Sequence, residues 1–278
     1  MKKIVLISVA MLGSGVAFGQ ELQERSSYAI GGRYHHEFVV DGYVRVREWD
    51  LHGDKMKLKD LGMTSYSAFQ LNVEKRLKRG RSLALVYDQY FMTGRATFDR
   101  NIIYNGTIIN GRNGIDVSPT RYFRFSTIFT APLVSRAHFD LQYTVGLVVD
   151  HITFYVDGEV DPSSPKDEVL EGFGKQAFPY PVIGLKGSVH LNENSHICWR
   201  TSGTYIPTFK SFYREGGNIH LRYSNFEADL NYSRTISKFQ VSIGATLRYM
   251  YLFQESHEDT NVINTITAGP YIGMTYRF

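Results

Sequence analysis

Eleven charged residues fall at alternate positions within segments whose other positions are apolar: Glu74, Arg76, Asp88, Arg124, Asp140, Lys186, Arg200, Glu227, Asp229, Arg248 and Arg277. Alternate residues of a β-strand share one face, so each of these would project from the polar side of its segment together with Gln70, Asn72, Ser126 and His190. Five acids nearly balance six bases. Gathered in one interior, such a set can neutralise itself through paired charges and hydrogen bonds and so build a rigid, largely side-chain-filled lumen. The alternative is that the same groups line a narrow path for a solute.

Catalytic chemistry is less well supported. A histidine and a serine two residues apart on one strand would share a face and could act as base and nucleophile, but none of the nine histidines stands in a His-x-Ser pair. Asp150 and His151 are adjacent, as are His35 and His36, and successive strand residues face opposite sides. These histidines therefore read as solvated or rim residues. No catalytic residue, metal ligand or cofactor site is expected, and the chain is read as a non-enzyme.

The elements that must position these charges are strands. Phe139, Leu141, Tyr143, Val145, Leu147 and Val149 alternate with Asp140, Gln142, Thr144, Gly146 and Val148, and Phe239 to Tyr249 repeats the pattern. Ten residues at about 3.3 Å each, tilted near 45°, rise roughly 23 Å, the height of the apolar band of an outer-membrane barrel. Aromatic residues begin or end the apolar faces: Phe139, Trp199, Tyr232, Phe239, Tyr276 and Phe278 towards one rim, Phe91, Phe123, Tyr205 and Tyr249 towards the other. Strands are expected near 28–49, 64–77, 82–98, 116–132, 138–156, 178–191, 196–210, 219–235, 239–253 and 265–278. Asp41-Gly42 could be a hairpin turn, but a continuous kinked first strand keeps the count even. The links Lys78–Arg81, Leu133–Ala137, Asn192–Ser195 and Ile236–Lys238 are short and the others long. The expected fold is all-β: a closed antiparallel transmembrane β-barrel of about 10 strands (alternatives 8 or 12), with short periplasmic turns and longer extracellular loops. A soluble β-sandwich would also alternate but needs no paired aromatic rims. In the longest loop, Ser164-Pro165 and the residues to Gly172 could form a turn or two of helix.

Lys2 and Lys3, the apolar run Ile4–Leu12, and Ala17 and Gly19 before Gln20 have the form of a secretory signal peptide. The expected division is therefore a signal peptide over 1–19 and a barrel over 20–278. The whole chain carries 31 Lys and Arg against 27 acids, and loss of the two leader lysines brings its net charge from +4 to about +2. That excludes a charge-driven nucleic-acid binder. The lone Cys198 cannot form an intramolecular disulfide, and Gln20 stands where a lipoprotein would carry its cysteine. Past the leader no run reaches about 18 apolar residues, so a membrane can be crossed only by strands. Loops rich in charge, such as Asp54, Lys55, Lys57, Lys59 and Asp60, or Glu255, His257, Glu258 and Asp259, read as solvated surface or lipopolysaccharide contacts, and Asn105-Gly106-Thr107 as a turn.

The chain ends with Pro270, Ile272, Met274, Tyr276 and the terminal Phe278 at alternate positions. This stretch resembles the C-terminal β-signal of bacterial outer-membrane proteins, which implies recognition by the barrel assembly machinery through strand addition. Together with Lys59-Asp60-Leu61-Gly62, Thr97 to Ile102 with Asn105-Gly106, Phe178 to Leu185, and Gly269 to Gly273, it makes the chain similar to a largely uncharacterised family of small Gram-negative outer-membrane β-barrel proteins. The resemblance implies a fold and a location, with outer-membrane lipid and lipopolysaccharide as surroundings, and brings no catalytic residues. The expected role is structural or surface-interactive. A narrow solute channel is the alternative, and an outer-leaflet lipid or peptide hydrolase is the third reading. The sequence leaves the oligomeric state open.

Overall fold

The computed structural model describes residues 27–48, 51–165, 178–210, 220–256 and 259–278. The expected leader over 1–19 lies outside the described residues, as do residues 166–172 of the expected helical turn and His257 with Glu258. The strands are β1 (Tyr28–Glu48), β2 (Met56–Lys57), β3 (Ser65–Arg76), β4 (Ser82–Ala96), β5 (Ile102–Tyr104), β6 (Thr107–Ile109), β7 (Ile115–Arg136), β8 (Phe139–Ile152), β9 (Tyr155–Gly158), β10 (Phe178–Asn192), β11 (Ser195–Lys210), β12 (His220–Ile236), β13 (Phe239–Glu255) and β14 (Asp259–Arg277).

The ten long strands form a closed antiparallel barrel, in which each pairs with the next and β14 returns to β1 from Ala29 opposite Arg277 to Glu48 opposite Asp259. Closure leaves no sheet edge, which is what lets strands lie in hydrocarbon. Alternation sets the two faces. Ile30, Tyr34, Phe69, Leu71, Leu85, Val145, Leu147, Ile243, Leu247, Ile272 and Met274 are exposed on the outside, whereas Gln70, Asp88, Arg124, Thr144, Glu227, Thr246 and Arg248 are buried inside. An apolar belt around a polar interior inverts the arrangement of a soluble protein, and it places this barrel in the bacterial outer membrane.

Turn chemistry fixes the periplasmic end. Arg79 and Gly80 both have positive φ, 62° and 67°, the two-residue hairpin geometry that matches strand twist, and the Leu77 amide donates to the Arg81 carbonyl at 2.9 Å. The turn expected over Leu133–Ala137 is shorter, because β7 continues to Arg136 and meets Phe139 of β8 directly. β1 runs unbroken through Asp41-Gly42, with a register shift against β14 between Val39 and Asp41. This bulge exchanges the parity that faces inward, from odd positions below it to Gly42, Val44 and Val46 above.

At the other end the strands outrun the belt and the links between them are ordered. Expected strand 138–156 is divided: β8 ends at Ile152, and β9 crosses to pair with the start of β7. β14 starts at Asp259 rather than near 265, since Thr260 to Thr265 pair with both β1 and β13. Asn105 and Gly106 form the β5–β6 hairpin turn, both with positive φ. These pieces enclose an apolar core of Leu58, Leu61, Met63, Ile102, Tyr104, Ile109, Phe154 and Val156, continuous with Val44 and Val46 of β1. The loops expected to be plain solvated surface therefore carry a packed head. Charges rim it: Arg100 donates to both oxygens of Asp54 at 3.0 and 3.1 Å, Asp54 also accepts from the Ile103 amide at 2.7 Å, and Asn101 donates to Asp161 at 2.7 Å. The Asp161 carboxyl is held below the usual carboxylate range by the Ser163 hydroxyl and amide and by Asn101.

Candidate functional site: a charge ladder across the lumen

Neighbouring strands present inward groups at matching heights, and long side chains bridge what the backbone separates. Glu227 of β12 is the hub. Its carboxylate accepts from Arg124 of β7 at 3.3 Å, Arg200 of β11 at 3.4 Å and Arg248 of β13 at 3.2 Å. Arg124 donates through Nε to Asp150 of β8 at 2.8 Å and through Nη2 to the Tyr122 hydroxyl at 3.0 Å. Arg248 reaches Glu37 of β1 at 2.6 Å. The result is a chain Glu37–Arg248–Glu227–Arg124–Asp150 that crosses the lumen from β1 to β8. Arg200 branches from it to Asp229, at 3.0 Å through Nε and 2.6 Å through Nη2, and Arg33 approaches Asp229 at 3.7 Å.

Hydroxyls complete the terminal carboxylates. Glu37 accepts from Tyr66 and Thr267, each at 2.7 Å, and Asp150 accepts from Tyr180 and Tyr223. The Arg248 guanidinium also lies 5.1 Å from the centre of the Tyr90 ring, which stacks on Tyr122 at 4.1 Å. A buried charge is tolerable only with such a shell, because its desolvation must be offset by partners on every side. Asp88 sits beside the ladder and accepts from Gln70 at 2.7 Å.

Of the eleven charges marked in the sequence, Asp88, Arg124, Arg200, Glu227, Asp229 and Arg248 are brought together here. Asp140 pairs instead with His190 at 2.7 Å and Ser135 at 2.6 Å near the periplasmic end, and Arg277 donates to Gln240. Glu74, Arg76 and Lys186 enter no ion pair among the described residues. Sequence reasoning missed Glu37 and Asp150, although both share the parity of inward groups on their strands. Asp150 lies near the extracellular end of β8 and is fully enclosed under the head. His151 faces away from it and stacks on Phe123 at 4.8 Å; His35 faces inward and His36 outward against Phe38. Val148 and Ile128, with Asp88, Arg124, Arg200 and Glu227, border a space of only about 40 Å³ at the ladder, so the lumen at this level is nearly filled by its own side chains.

Pro270, Ile272 and Met274 lie exposed on the outward face of β14, Phe278 is exposed just past its end, and Tyr276 packs between Phe239 at 5.0 Å and Phe278 at 5.3 Å. Among the described residues no group of three or more His, Cys, Asp or Glu side chains could hold a metal ion. Cys198 is a free, half-buried thiol.

No protein-family model matches the chain, and no curated protein matches it. Solved outer-membrane barrels do resemble it. The outer-membrane protease OmpT of Escherichia coli is 12% identical, with 90% of this chain and 97% of that one covered and a TM-score of 0.49. Ail, the attachment invasion locus protein of Yersinia pestis, solved with the heparin analogue sucrose octasulfate, is 13% identical over 91% and 99% of the two chains, with a TM-score of 0.27. The translocator domain of autotransporter NalP from Neisseria meningitidis is 13% identical over 91% and 89%, with a TM-score of 0.34. The barrel itself rests on this chain's own strand pairing, and these likenesses bring no residue roles with them.

Proposed function

We propose that the protein is a structural or surface-interacting outer-membrane barrel whose axial path is sealed twice, by the charge ladder at membrane level and by the apolar head above it. The observation that carries this reading is the ladder from Glu37 to Asp150, which spans the lumen with paired side chains and leaves the guanidinium groups of Arg124 and Arg248 enclosed. A pore would keep its charges in water. Swelling of protein-containing liposomes in a small sugar tests it: a sealed barrel gives the rate of empty liposomes, and a rate that falls with sugar size would establish a channel.

The same geometry speaks against hydrolysis. Glu37 and Asp150 have their oxygens engaged by arginine and tyrosine or threonine donors, so neither is placed as a free base. Lipid A of unchanged mass in cells expressing the protein is the expected result. At the level just above the belt, Tyr43, Arg45, Lys55 and Lys57 stand on the outward side of β1 and β2, with the Lys55 ammonium 3.9 Å from the Tyr43 ring centre. Those cations suit lipopolysaccharide phosphates. The outward alternation of β14 ending at Phe278 suits strand addition by the barrel assembly machinery, and Phe278→Asp should lower the amount reaching the membrane while synthesis is unchanged. These features agree with the small Gram-negative barrel family that the sequence motifs resemble.

A further inference from the structure

Below the ladder the lumen changes character. Arg124 and Arg248 are enclosed, with 6% and 8% of their side chains exposed, whereas Arg200 and Arg33, the guanidinium groups on the periplasmic side of the ladder, keep 29% and 28%. Inward side chains of a closed barrel meet water only through the lumen, and with the head shut above, that water enters from the periplasm. Ser188, Cys198, Ser242 and Thr275, inward residues nearer the periplasmic turns, are likewise part-exposed. The lower lumen is therefore a blind vestibule lined by small polar groups.

The charges of this vestibule are not balanced. Lys186 of β10 stands directly opposite Arg200 of β11 and, on its other side, opposite Gln142 of β8. Like charges opposite one another on neighbouring strands repel, and neither wall neighbour offers Lys186 an acid. Arg200 spends its donors on Asp229 and Glu227 of the ladder. Cys198, the fourth residue of β11, shows where the cations meet: Lys186 of β10, Arg33 of β1 and Arg277 of β14 all act electrostatically on its thiol, and no acid among the described residues does. β10 is the sixth of the ten long strands and lies across the lumen from β1, so these cations converge from opposite walls. His196, nearer the mouth, feels Lys186, Arg277 and His190 in the same way. The acids of the vestibule are engaged elsewhere: Asp140 is held by Ser135 and His190, and Glu74 acts on Arg277 at the rim.

We propose that the vestibule binds one oxyanion of the phosphate class, inorganic phosphate or a small phosphomonoester from the periplasm, between Lys186, Arg33 and Arg277 beside Cys198. Such an anion answers the three cations at once and removes the repulsion between Lys186 and Arg200. A guanidinium fork and a lysine point charge both suit phosphate oxygens. Ser188 and Asn231, which flank Cys198 in the wall, add neutral donors at the same level.

Cys198 is the chain's only cysteine and so reports on the vestibule without any mutation. The full-length protein in detergent micelles is reacted with an anionic and with a cationic methanethiosulfonate of similar size, each rate being divided by that reagent's rate with a free thiol. On this scale the anionic reagent should be about tenfold faster, because a cation-lined cleft concentrates anions. Inorganic phosphate and glycerol 3-phosphate, added in separate series, should slow the labelling saturably and beyond the effect of chloride at the same ionic strength; whichever half-protects at the lower concentration identifies the source. A thiol that reacts with neither reagent, equal rates for the two, or no protection beyond chloride by either phosphate would overturn the proposal. Lys186→Gln should weaken the protection about tenfold, the loss of one charge-assisted bond, whereas Lys75→Gln, on the outer wall beside the Tyr28 ring, should leave it unchanged. Undiminished protection in Lys186→Gln would equally overturn the site. Should that variant fail to fold, the wild-type rates alone decide.

Discussion

Two stacked regions of this barrel solve opposite problems with the same strands. At membrane level the outside is apolar and the inside holds Glu37, Arg248, Glu227, Arg124 and Asp150 in a paired chain. Above the belt the outside is charged, and the inside is the aliphatic and aromatic core of Leu58, Leu61, Met63, Ile102, Tyr104 and Val156. The surroundings decide which side is which. Lipid takes the apolar face where there is lipid, so polar groups turn inward and must satisfy one another; water takes the polar face above, and the ordinary soluble arrangement returns. The bulge at Val39 to Asp41 is where β1 passes from one regime to the other.

The comparison can be broken first at the ladder. Glu227→Ala removes the shared partner of three guanidinium groups, and an uncompensated buried charge costs about 3 to 5 kcal/mol. Urea unfolding in lipid vesicles should show that loss over the whole barrel, and a change below about 1 kcal/mol would mean the three arginines find other partners. In the head, Ile102→Ala should cost about 2 to 4 kcal/mol but act locally. Faster proteolysis of the extracellular loops with an unshifted barrel transition is the expected pattern; a matching drop in barrel stability would join the two regions into one cooperative unit. At the head's rim, Asp54→Asn weakens the pairing with Arg100, half of which is in water, and about 1 kcal/mol or less is expected in the same proteolysis assay. The smallest effect is one of pH. The Asp161 carboxyl is lowered in the folded state, so its contribution is present above the ordinary carboxylate value near 4 and is lost as pH falls through the lowered one. Amide protection at Ser163, taken relative to the intrinsic exchange rate at each pH, should fall only on that acid side; a change in protection between pH 5 and 8 would point to another group.

The belt was readable in the sequence because lipid enforces strict alternation, as in Phe139 to Val149, and so nearly every strand could be placed. Where the outward side faces water that pressure lapses. Asn261, Val262 and Ile263 do not alternate, and the true start of β14 at Asp259 was hidden. The head was hidden for a related reason. Charges at Asp54, Lys55, Lys57 and Lys59 mask the apolar residues Met56, Leu58, Leu61 and Met63 between them, and only the packing shows which matter. The ladder was half legible. Parity tells which charges point inward, Glu37 and Asp150 included, but the contact of Glu37 with Arg248 joins the first strand to the thirteenth and exists only once the barrel closes with its particular stagger.

The most direct test of a lumen sealed by its own charges is single-channel recording of the purified protein in planar bilayers, wild type beside Glu227→Ala. Sealing predicts a silent wild type and, with the hub of the ladder gone, a flickering conductance at most, because the apolar head still closes the extracellular end. Steady, reproducible steps from the wild-type protein, changed in size by Glu227→Ala, would contradict it and show that ions already pass the ladder.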